Sequence, residues 1–297
     1  MSNDAASINR DIFNDEAAEY DNKHRKLTER ITRELQSRLE LIGVQWILDD
    51  SDEEIGTDNK ERTREVRLLD YACATGAMSR ALAQYTTQCV GIDISEKMVA
   101  LYNKRAGNQG LAPEEMHAIV GDLGSTSASE ALSSVDLFNF DIAVVGGGFH
   151  HFGDPELIAK RLVERLRPGG ILLIWDFLPH GGHHHHNARQ GHSHKHSYGH
   201  ECNQNHENHE EHDDKSDGNN VSHSVMHHGF SEGRMREIFS AAGVGTDFNL
   251  HTIGGGYISN HMEQILEDPE DDIKSEVNNA DKGRRDVFFA WGSKSAA

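Results

Sequence analysis

The sequence predicts an α/β fold built on a doubly wound, mostly parallel sheet. Short apolar segments alternate with helical segments along the chain, and the strand-like ones are apolar throughout, as in strands that helices cover on both faces. The first strand ends at Asp70, and a turn of small residues then leads into a helix. The second strand ends at Asp93, 17 residues after Gly76. An acid at that point, following a small-residue turn and a helix N-terminus, is typical of a nucleotide-binding site.

The individual elements follow from apolar spacing and from turn residues. Apolar residues at helical spacing predict a helix over about residues 15–46, and the acidic residues 49–65 then form a linker with too few apolar residues to fold alone. Strands are predicted near residues 66–71, 88–92, 116–121, 140–145 and 170–177, with helices near 77–85, 95–107 and 154–166. A helix over 230–242 and two final strands, 244–252 and 286–291, complete the pattern. Pro168-Gly169-Gly170 predicts a turn between the preceding helix and the fifth strand.

Composition limits the classes of function. The chain has 297 residues and a net charge of −20, enough length for one large α/β core. Such a negative charge argues against nucleic acid as a partner, because phosphate binding needs a basic surface. The one basic segment, Lys23–Arg38, is better interpreted as the solvated face of an amphipathic helix than as an anion site, which stays the alternative.

Compartment follows from what the sequence lacks. No run of 18 apolar residues could span a membrane, and the polar first ten residues do not resemble a secretory signal. Cys73, Cys89 and Cys202 form neither a metal-type C-x-x-C pair nor a disulfide framework. We therefore expect a reducing compartment, the cytoplasm, with the nucleus left open.

Residues 180–222 form a His-rich insert. Of the 21 histidines in the chain, 15 lie between His180 and His228, among small and acidic residues. With almost no large apolar side chain, this segment is predicted to be disordered. Imidazoles bind zinc, nickel and copper, but without fixed geometry we expect adventitious binding rather than a defined metal site. The histidines in question are His183, His184, His185, His186, His192, His194 and His196.

Five segments resemble, in the correct order, the motifs of class I S-adenosylmethionine-dependent methyltransferases. In chain order they are Val66–Met78, Gly91–Ser95, Val120–Leu123, Phe140–Val145 with Phe149–Pro155, and Leu166–Ile174. The upstream segment Ile12–Asp21 resembles the N-terminal segment of the ubiquinone/menaquinone-type branch and its small-molecule relatives. The resemblance implies a Rossmann-like sheet of seven strands with an antiparallel edge strand and helices on both faces. It also implies an N-terminal helical cap at 1–48 and a catalytic domain at 66–297.

The same resemblance implies S-adenosylmethionine as the cofactor and a small organic molecule as the methyl acceptor. Asp70 would lie near the methionine amino group, Asp93 would accept the ribose hydroxyls, and Asp122 would meet the adenine. The other cofactor contacts that it implies are Tyr20, Ala72, Ala74, Gly76, Ile94, Met98, Leu123 and Gly146. His150 and His151 follow the fourth strand on the acceptor side, where a neutral imidazole can take a proton from a hydroxyl or an amine.

The turn of small residues at 70–76, here called the cradle, departs from the family pattern at two alanines. Ala72 has precedent in the quinone-type branch, whereas Ala74 does not fit so easily. In a left-handed backbone Ala74 would cost about 1–2 kcal/mol. An alternative function therefore stays open: a catalytically weak or inactive methyltransferase-fold binding protein that acts through the metal-binding His-rich insert. The sequence names neither the acceptor, nor the methylated atom, nor the oligomeric state.

Overall fold

A sheet of seven strands lies at the centre of the structure, a computed structural model that describes residues 2–47, 64–125, 130–179, 224–257 and 284–296. In chain order the strands are β1 (Arg67–Tyr71), β2 (Gln88–Asp93), β3 (Met116–Val120), β4 (Phe140–Gly146), β5 (Leu166–Phe177), β6 (Asn249–Tyr257) and β7 (Arg284–Ser293). They lie side by side in the order β3-β2-β1-β4-β5-β7-β6. Strands β1 to β5 are parallel, and β7 runs antiparallel to both of its neighbours. The predicted Rossmann-like fold, with an antiparallel pair at one edge, is confirmed.

Helices cover both faces of this sheet. Within the described residues they are α1 (Ser2–Glu16), α2 (Tyr20–Gln36), α3 (Leu39–Ile42), α4 (Ala77–Leu82), α5 (Glu96–Asn108), α6 (Pro155–Arg165) and α7 (Glu232–Ala242). Residues of α2 to α5, among them Leu35 and Tyr102, are buried on one face. Residues of α6 and α7, among them Leu162 and Phe239, are buried on the other. The strands are apolar throughout because neither face meets water.

The strand order opens a crevice at the carboxyl ends of β1 and β4. From β1 the chain moves outward to β2 and β3, and it then crosses back so that β4 pairs with the other side of β1. The connections after β1 and β4 leave in opposite directions, which separates them at this edge of the sheet. Ligands of doubly wound folds bind at such a point.

The N-terminal region differs from the prediction of one helix over 15–46. The structure has three helices instead, the first of which already begins at Ser2, and the chain turns at residues 17–19 and 37–38. The sequence of α1 is polar, and its position depends on contacts with the rest of the protein. The Asn14 side chain, for example, accepts a hydrogen bond of 2.7 Å from the Ser95 hydroxyl just before α5. Helical spacing alone could not reveal a helix held by such contacts.

Two strand boundaries were also predicted wrongly. The first concerns β5, which begins at Leu166, so that Pro168-Gly169-Gly170 lies within the strand rather than before it. The pairing of β5 with β4 is irregular at this point, and Gly169 instead donates a backbone hydrogen bond to Lys294. The second is β6, which begins at Asn249 rather than at 244. The preceding turn is held by Asp247, whose carboxylate accepts hydrogen bonds from Ser293.

Some expectations concern residues outside this description. The His-rich insert at 180–222 and nearly all of the acidic linker at 49–65 lie outside the described residues. In the part of the chain that is described, no helix has both the length and the apolar character needed to cross a membrane.

Gly76 determines how the turn after β1 joins α4. It is the N-cap of α4 and has a φ of +87°, a left-handed conformation. A Cβ atom at this position would lie 2.6 Å from the ring of Tyr102, which is buried in the core. Both the backbone conformation and the packing therefore require glycine here.

We expect Gly76→Ala to lower the free energy of unfolding by several kcal/mol. The left-handed backbone contributes roughly 1–2 kcal/mol, and crowding of Tyr102 contributes roughly 1–3 kcal/mol more. Gly107→Ala is the matched control, since Gly107 lies in α5 with no atom within 4 Å of the added Cβ, and we expect a gain of up to about 1 kcal/mol. Urea unfolding of the three proteins measures both effects. Equal stability of the two variants would contradict this explanation.

Candidate active site

A cavity of about 830 Å³ lies at the carboxyl edge of the parallel strands. Its walls come from the residues that end β1, β2, β4 and β5, from the beginning of β7, and from α1 and α2. This volume lies in the upper part of the range of about 300–1,000 Å³ that is usual for small-molecule sites. The cavity therefore has room for more than one small ligand.

Eleven of the thirteen site residues predicted from the sequence line this one cavity: Tyr20, Asp70, Ala72, Ala74, Asp93, Ile94, Met98, Asp122, Gly146, His150 and His151. Their contacts with a ligand remain predictions. The other two, Gly76 and Leu123, do not line the cavity, and their predicted contacts with a cofactor also stay predictions. Gly76 faces Tyr102 in the core, as described above, and the Leu123 side chain is buried among the residues under α6. Both residues support the walls without forming them.

Asp70, near the end of β1, has one carboxylate oxygen that no described residue contacts as a hydrogen-bond donor. Its Oδ2 atom accepts hydrogen bonds from the backbone N–H and the hydroxyl of Ser79, at 3.0 and 2.7 Å. Among the described residues nothing donates to Oδ1, although that atom is buried. The pKa of Asp70 is raised to about 7, mainly by burial; the hydrogen bonds from Ser79 oppose this shift, and the nearby charge of Asp93 adds to it. A cationic or hydrogen-bond-donating ligand group would satisfy this oxygen.

Asp93, the last residue of β2, fixes the turn that follows β1. Its Oδ2 atom accepts a hydrogen bond of 2.8 Å from the backbone N–H of Ala74, and its Oδ1 atom accepts one of 2.9 Å from Ser95. Burial raises the pKa of Asp93 to about 6. The turn contains two left-handed alanines, Ala72 with a φ of 55° and Ala74 with a φ of 46°. Because a hydrogen bond within the protein holds Ala74, the strain weakens folding rather than ligand binding.

Asp122 follows β3 and completes a row of three carboxylates on neighbouring strands. Its Oδ1 atom accepts hydrogen bonds from the Gly124 N–H at 2.7 Å and from the Tyr71 hydroxyl at 3.4 Å. The Tyr71 hydroxyl in turn accepts from the N–H of Leu123 at 3.1 Å. These bonds hold the loop after β3 against the end of β1. Sequence analysis did not single out Tyr71, although its position beside Asp70 was visible.

His150 forms a buried pair with Asp176. After Tyr71, Asp176 is the second residue of this site that was not predicted from the sequence. The His150 Nδ1 atom lies 2.9 Å from Asp176 Oδ1, and the His150 backbone N–H donates to Asp176 Oδ2 at 3.0 Å. A carboxylate only accepts, so Nδ1 carries the proton and Nε2 keeps its lone pair. The sequence does mark Asp176 itself, as the only charged residue in the apolar run Ile171–Phe177, but it gives no sign of the pairing with His150.

His151 is held as a neutral imidazole. Its Nδ1 atom lies 2.8 Å from the carbonyl oxygen of Ser224, and the edge of Phe13 meets its ring. Burial, and secondarily the neighbouring His150, lowers the pKa of His151 to about 4. The two imidazole rings are tilted by 39° to each other, with centroids 4.0 Å apart. His151 therefore adds no positive charge beside His150 at neutral pH.

Helix α2 contacts the turn after β1 and forms part of the cavity wall. Asp21 accepts a hydrogen bond of 2.5 Å from the Thr75 hydroxyl and forms an ion pair with Arg105 of α5. One residue earlier, Tyr20 lines the cavity and packs against His24, with the rings tilted by 45° and their centroids 4.3 Å apart. No pattern in the sequence indicated the contact of Asp21 with Thr75, because the two residues are 54 positions apart.

A metal centre is not visible in the described part of the chain, where no group of three or more His, Cys, Asp or Glu residues is placed to hold an ion. The seven histidines named as adventitious ligands lie outside the described residues.

Comparison with known proteins adds a family and several relatives. Residues 69–174 match the family model described as a methyltransferase domain. An uncharacterized methyltransferase of Schizosaccharomyces pombe is 30% identical over 137 residues, which are 46% of this chain and 47% of that protein. A ubiquinone biosynthesis O-methyltransferase of Leptothrix cholodnii is 28% identical over 113 residues, 38% of this chain and 43% of that protein. The chain thus spans about half the length of the curated relatives it matches.

Two solved structures share the fold over most of the chain. A candidate methyltransferase from Bacillus halodurans gives a TM-score of 0.50 at 15% identity, covering 78% of this chain and 93% of that one. A chain from the Haloferax volcanii complex between the Trm112 methyltransferase activator and a candidate methyltransferase gives 0.51 at 14% identity, covering 95% and 97%. At such low identity these likenesses concern the fold alone.

The raised pKa of Asp70 predicts a pH-dependent effect of Asp70→Asn. A carboxyl with a raised pKa in the folded state stabilises the protein below its unfolded pKa, and this contribution is lost as the pH rises towards about 7. Asparagine does not titrate, so the Asp70→Asn variant does not lose this contribution to stability as the pH rises. The stability of Asp70→Asn relative to the unmutated protein should therefore increase between about pH 4 and pH 7, by at most about 1.4 kcal/mol per pH unit. Urea unfolding across this range measures it, and a constant difference would refute the assignment.

Proposed function

We propose that this chain, whose residues 69–174 match a methyltransferase domain, transfers a methyl group from S-adenosylmethionine to a hydroxyl group of a small organic acceptor. The observation that carries the proposal is the pair of His150 and Asp176 at the wall of the cavity that also contains the three carboxylates. A base and an acidic cofactor cradle in one cavity are what a methyltransferase acting on a hydroxyl needs.

The residues at the ends of β1, β2 and β3 fit this cofactor. Asp70 has a buried oxygen without a partner among the described residues, and the ammonium group of the methionine moiety would satisfy it. Asp93 is oriented by two backbone N–H groups and has lone pairs left for the ribose hydroxyls. Asp122 would meet the adenine from the end of β3, as the sequence motifs suggest. When bound, the cofactor supplies an electrophilic methyl group on a positively charged sulfur.

His150 would act as the general base. Asp176 accepts the Nδ1 proton and so keeps the lone pair of Nε2 available for the acceptor hydroxyl. As the proton moves to Nε2, the carboxylate of Asp176 stabilises the imidazolium that forms. The neutral state of His151 helps, because a second cation 4.0 Å away would oppose that charge. A base of this kind contributes about 10²–10⁴-fold to a rate.

Two further observations support a hydroxyl as the methylated group. An alcohol or phenol becomes a strong nucleophile only as it loses its proton, so an oriented base helps it directly. The Leptothrix cholodnii relative is named as an O-methyltransferase. The aromatic side chains of Trp175 and Phe177, on either side of Asp176 in β5, line the cavity and favour an acceptor with an apolar body.

The alternative of an inactive binding protein rested on Ala74. The hydrogen bond from Ala74 to Asp93 places the strain of the left-handed turn in the folding free energy, so it does not by itself weaken cofactor binding. An active enzyme is therefore favoured over a protein that acts through its His-rich insert.

Substitutions in the cradle test the cofactor. We expect Asp93→Ala to weaken S-adenosylhomocysteine binding by about 1.5–3 kcal/mol, the usual range for hydrogen bonds to a charged group. Ala74→Gly alters the same turn without removing the carboxylate, and we expect it to leave the affinity within about twofold, because relief of about 1–2 kcal/mol of strain acts on folding. Calorimetry measures both. A cofactor affinity that is unchanged in Asp93→Ala would remove Asp93 from the site.

The proposed base is tested by His150→Gln and Asp176→Asn. Both should lower kcat by about 10²–10⁴-fold while leaving cofactor affinity nearly unchanged. Asp176→Asn acts indirectly: its amide can donate to Nδ1, which moves the imidazole proton to Nε2 and removes the base. In both variants kcat should keep rising with pH above the pH at which the kcat of the unmutated enzyme reaches its plateau.

Acceptors for this test come from screening a metabolite extract for release of S-adenosylhomocysteine. The control is His117→Gln, since His117 lies on β3 outside the cavity and bonds to the Pro113 carbonyl. Wild-type kcat in both His150→Gln and Asp176→Asn would contradict the role of the pair.

A further inference from the structure

Arg285 brings a positive charge to the cavity from a strand that the methyltransferase motifs do not include. It is the second residue of β7 and lines the cavity. Because β7 runs antiparallel to β5, its first residues reach the edge at which the parallel strands end. The backbone N–H of Leu178 donates to the carbonyl of Asp286 at 2.8 Å, which holds the start of β7 beside the end of β5.

The guanidinium of Arg285 has a ring contact but no anionic partner among the described residues. Its Cζ atom lies 5.6 Å from the centroid of the Phe177 ring, and no described carboxylate comes within ion-pair distance. Asp176 raises the pKa of Arg285 from a distance, but burial outweighs it and lowers that pKa. Both oxygens of Asp176 already accept hydrogen bonds from His150. A partly desolvated cation of this kind is stabilised when an anion binds beside it.

The other cations at the cavity are compensated or exposed. Lys23 lies 3.0 Å from a carboxylate oxygen of Glu16, and Arg25 lies 3.2 Å from one of Glu29. Lys26 is exposed at the mouth, where water and salt screen its charge. Arg285 is therefore the group best placed to bind an anion inside the cavity.

The strand order arranges these groups in sequence along the edge of the sheet. The acids Asp122, Asp93 and Asp70 follow β3, β2 and β1, the His150–Asp176 pair comes from β4 and β5, and Arg285 comes from β7. The three acids, the His150–Asp176 pair and the cation that lacks an anionic partner among the described residues thus occupy successive positions. Neighbouring strands are about 4.8 Å apart, so the cation lies within the length of a small molecule from the base.

We propose that Arg285 binds a carboxylate group of the methyl acceptor, which is then a small hydroxylated carboxylic acid. This inference rests on the proposed function and specifies its substrate class. The fork of N–H donors on a guanidinium matches a carboxylate with two parallel hydrogen bonds. The apolar body of the acceptor would pack against Trp175 and Phe177, with its hydroxyl towards His150 and its acid towards Arg285. One uncompensated charge suits a monoanion better than a phosphate dianion.

The test compares acids with neutral isosteres. The probes are the three hydroxybenzoate isomers and the corresponding hydroxybenzamides, titrated by calorimetry into the full-length protein saturated with S-adenosylhomocysteine. The unmutated protein should bind at least one acid about tenfold to hundredfold more tightly than its amide. Arg285→Gln should abolish that preference while leaving the affinities for the amide and for S-adenosylhomocysteine unchanged. Arg285→Lys, which keeps the charge but loses the fork, should retain part of it.

The matched control is Arg236→Gln. Arg236 also lies over an aromatic ring, 4.7 Å from the centroid of Phe248, but outside the cavity, so the preference for acids should persist. Equal binding of acid and amide, binding of no acid at all, or a preference that survives Arg285→Gln would each overturn the proposal. In all three cases S-adenosylhomocysteine binding would leave the proposed function standing. Failure to bind S-adenosylhomocysteine would overturn both.

Discussion

The hydrogen bond from the Ala74 N–H to the Asp93 carboxylate connects the two strands on which the site is built. It joins the turn after β1 to the end of β2, and it holds Ala74 in a left-handed conformation that alanine would otherwise avoid. Ser95 donates to the other oxygen of the same carboxylate and then caps α5. Asp93 therefore fixes both the turn after β1 and the start of α5. The same two hydrogen bonds orient its carboxylate, and with it the lone pairs that remain for a ligand. The rest of the cavity is arranged around that fixed turn.

Burial controls the chemistry of the charged groups along this edge. Asp70 and Asp93 both have raised pKa values because little water reaches them, so a cationic ligand group beside them gains more than it would at the surface. His150 instead forms a direct pair with Asp176, whose Oδ1 atom lies 2.9 Å from the His150 Nδ1 atom. Arg285 has an aromatic face but no described carboxylate at ion-pair distance. A ligand that places positive charge near β1 and negative charge near β7 would complement the whole edge.

The N-terminal helices complete the cavity, although they precede every strand. Asp21 contacts Thr75 in the turn after β1, Asn14 contacts Ser95, and Asn9 donates to the carbonyl of His151. These contacts reach both the turn after β1 and the histidines that follow β4. A change in the position of α1 or α2 would therefore affect both sides, which explains how a polar helix at the chain terminus can matter for the site.

Local patterns in the sequence determined the fold class, the order of the strands along the chain and most of the cavity wall, because residues at strand ends are brought to one edge by the parallel sheet itself. Asp70, Asp93, Asp122 and His150 were found in this way. The sequence did not separate wall residues from supporting ones such as Gly76 and Leu123, since that depends on which side of the backbone the core lies. Only the tertiary structure paired His150 with Asp176 and brought Arg285 to the cavity. Contacts between residues 26 or more positions apart leave no local signal, because they arise from the topology and from which strand runs antiparallel.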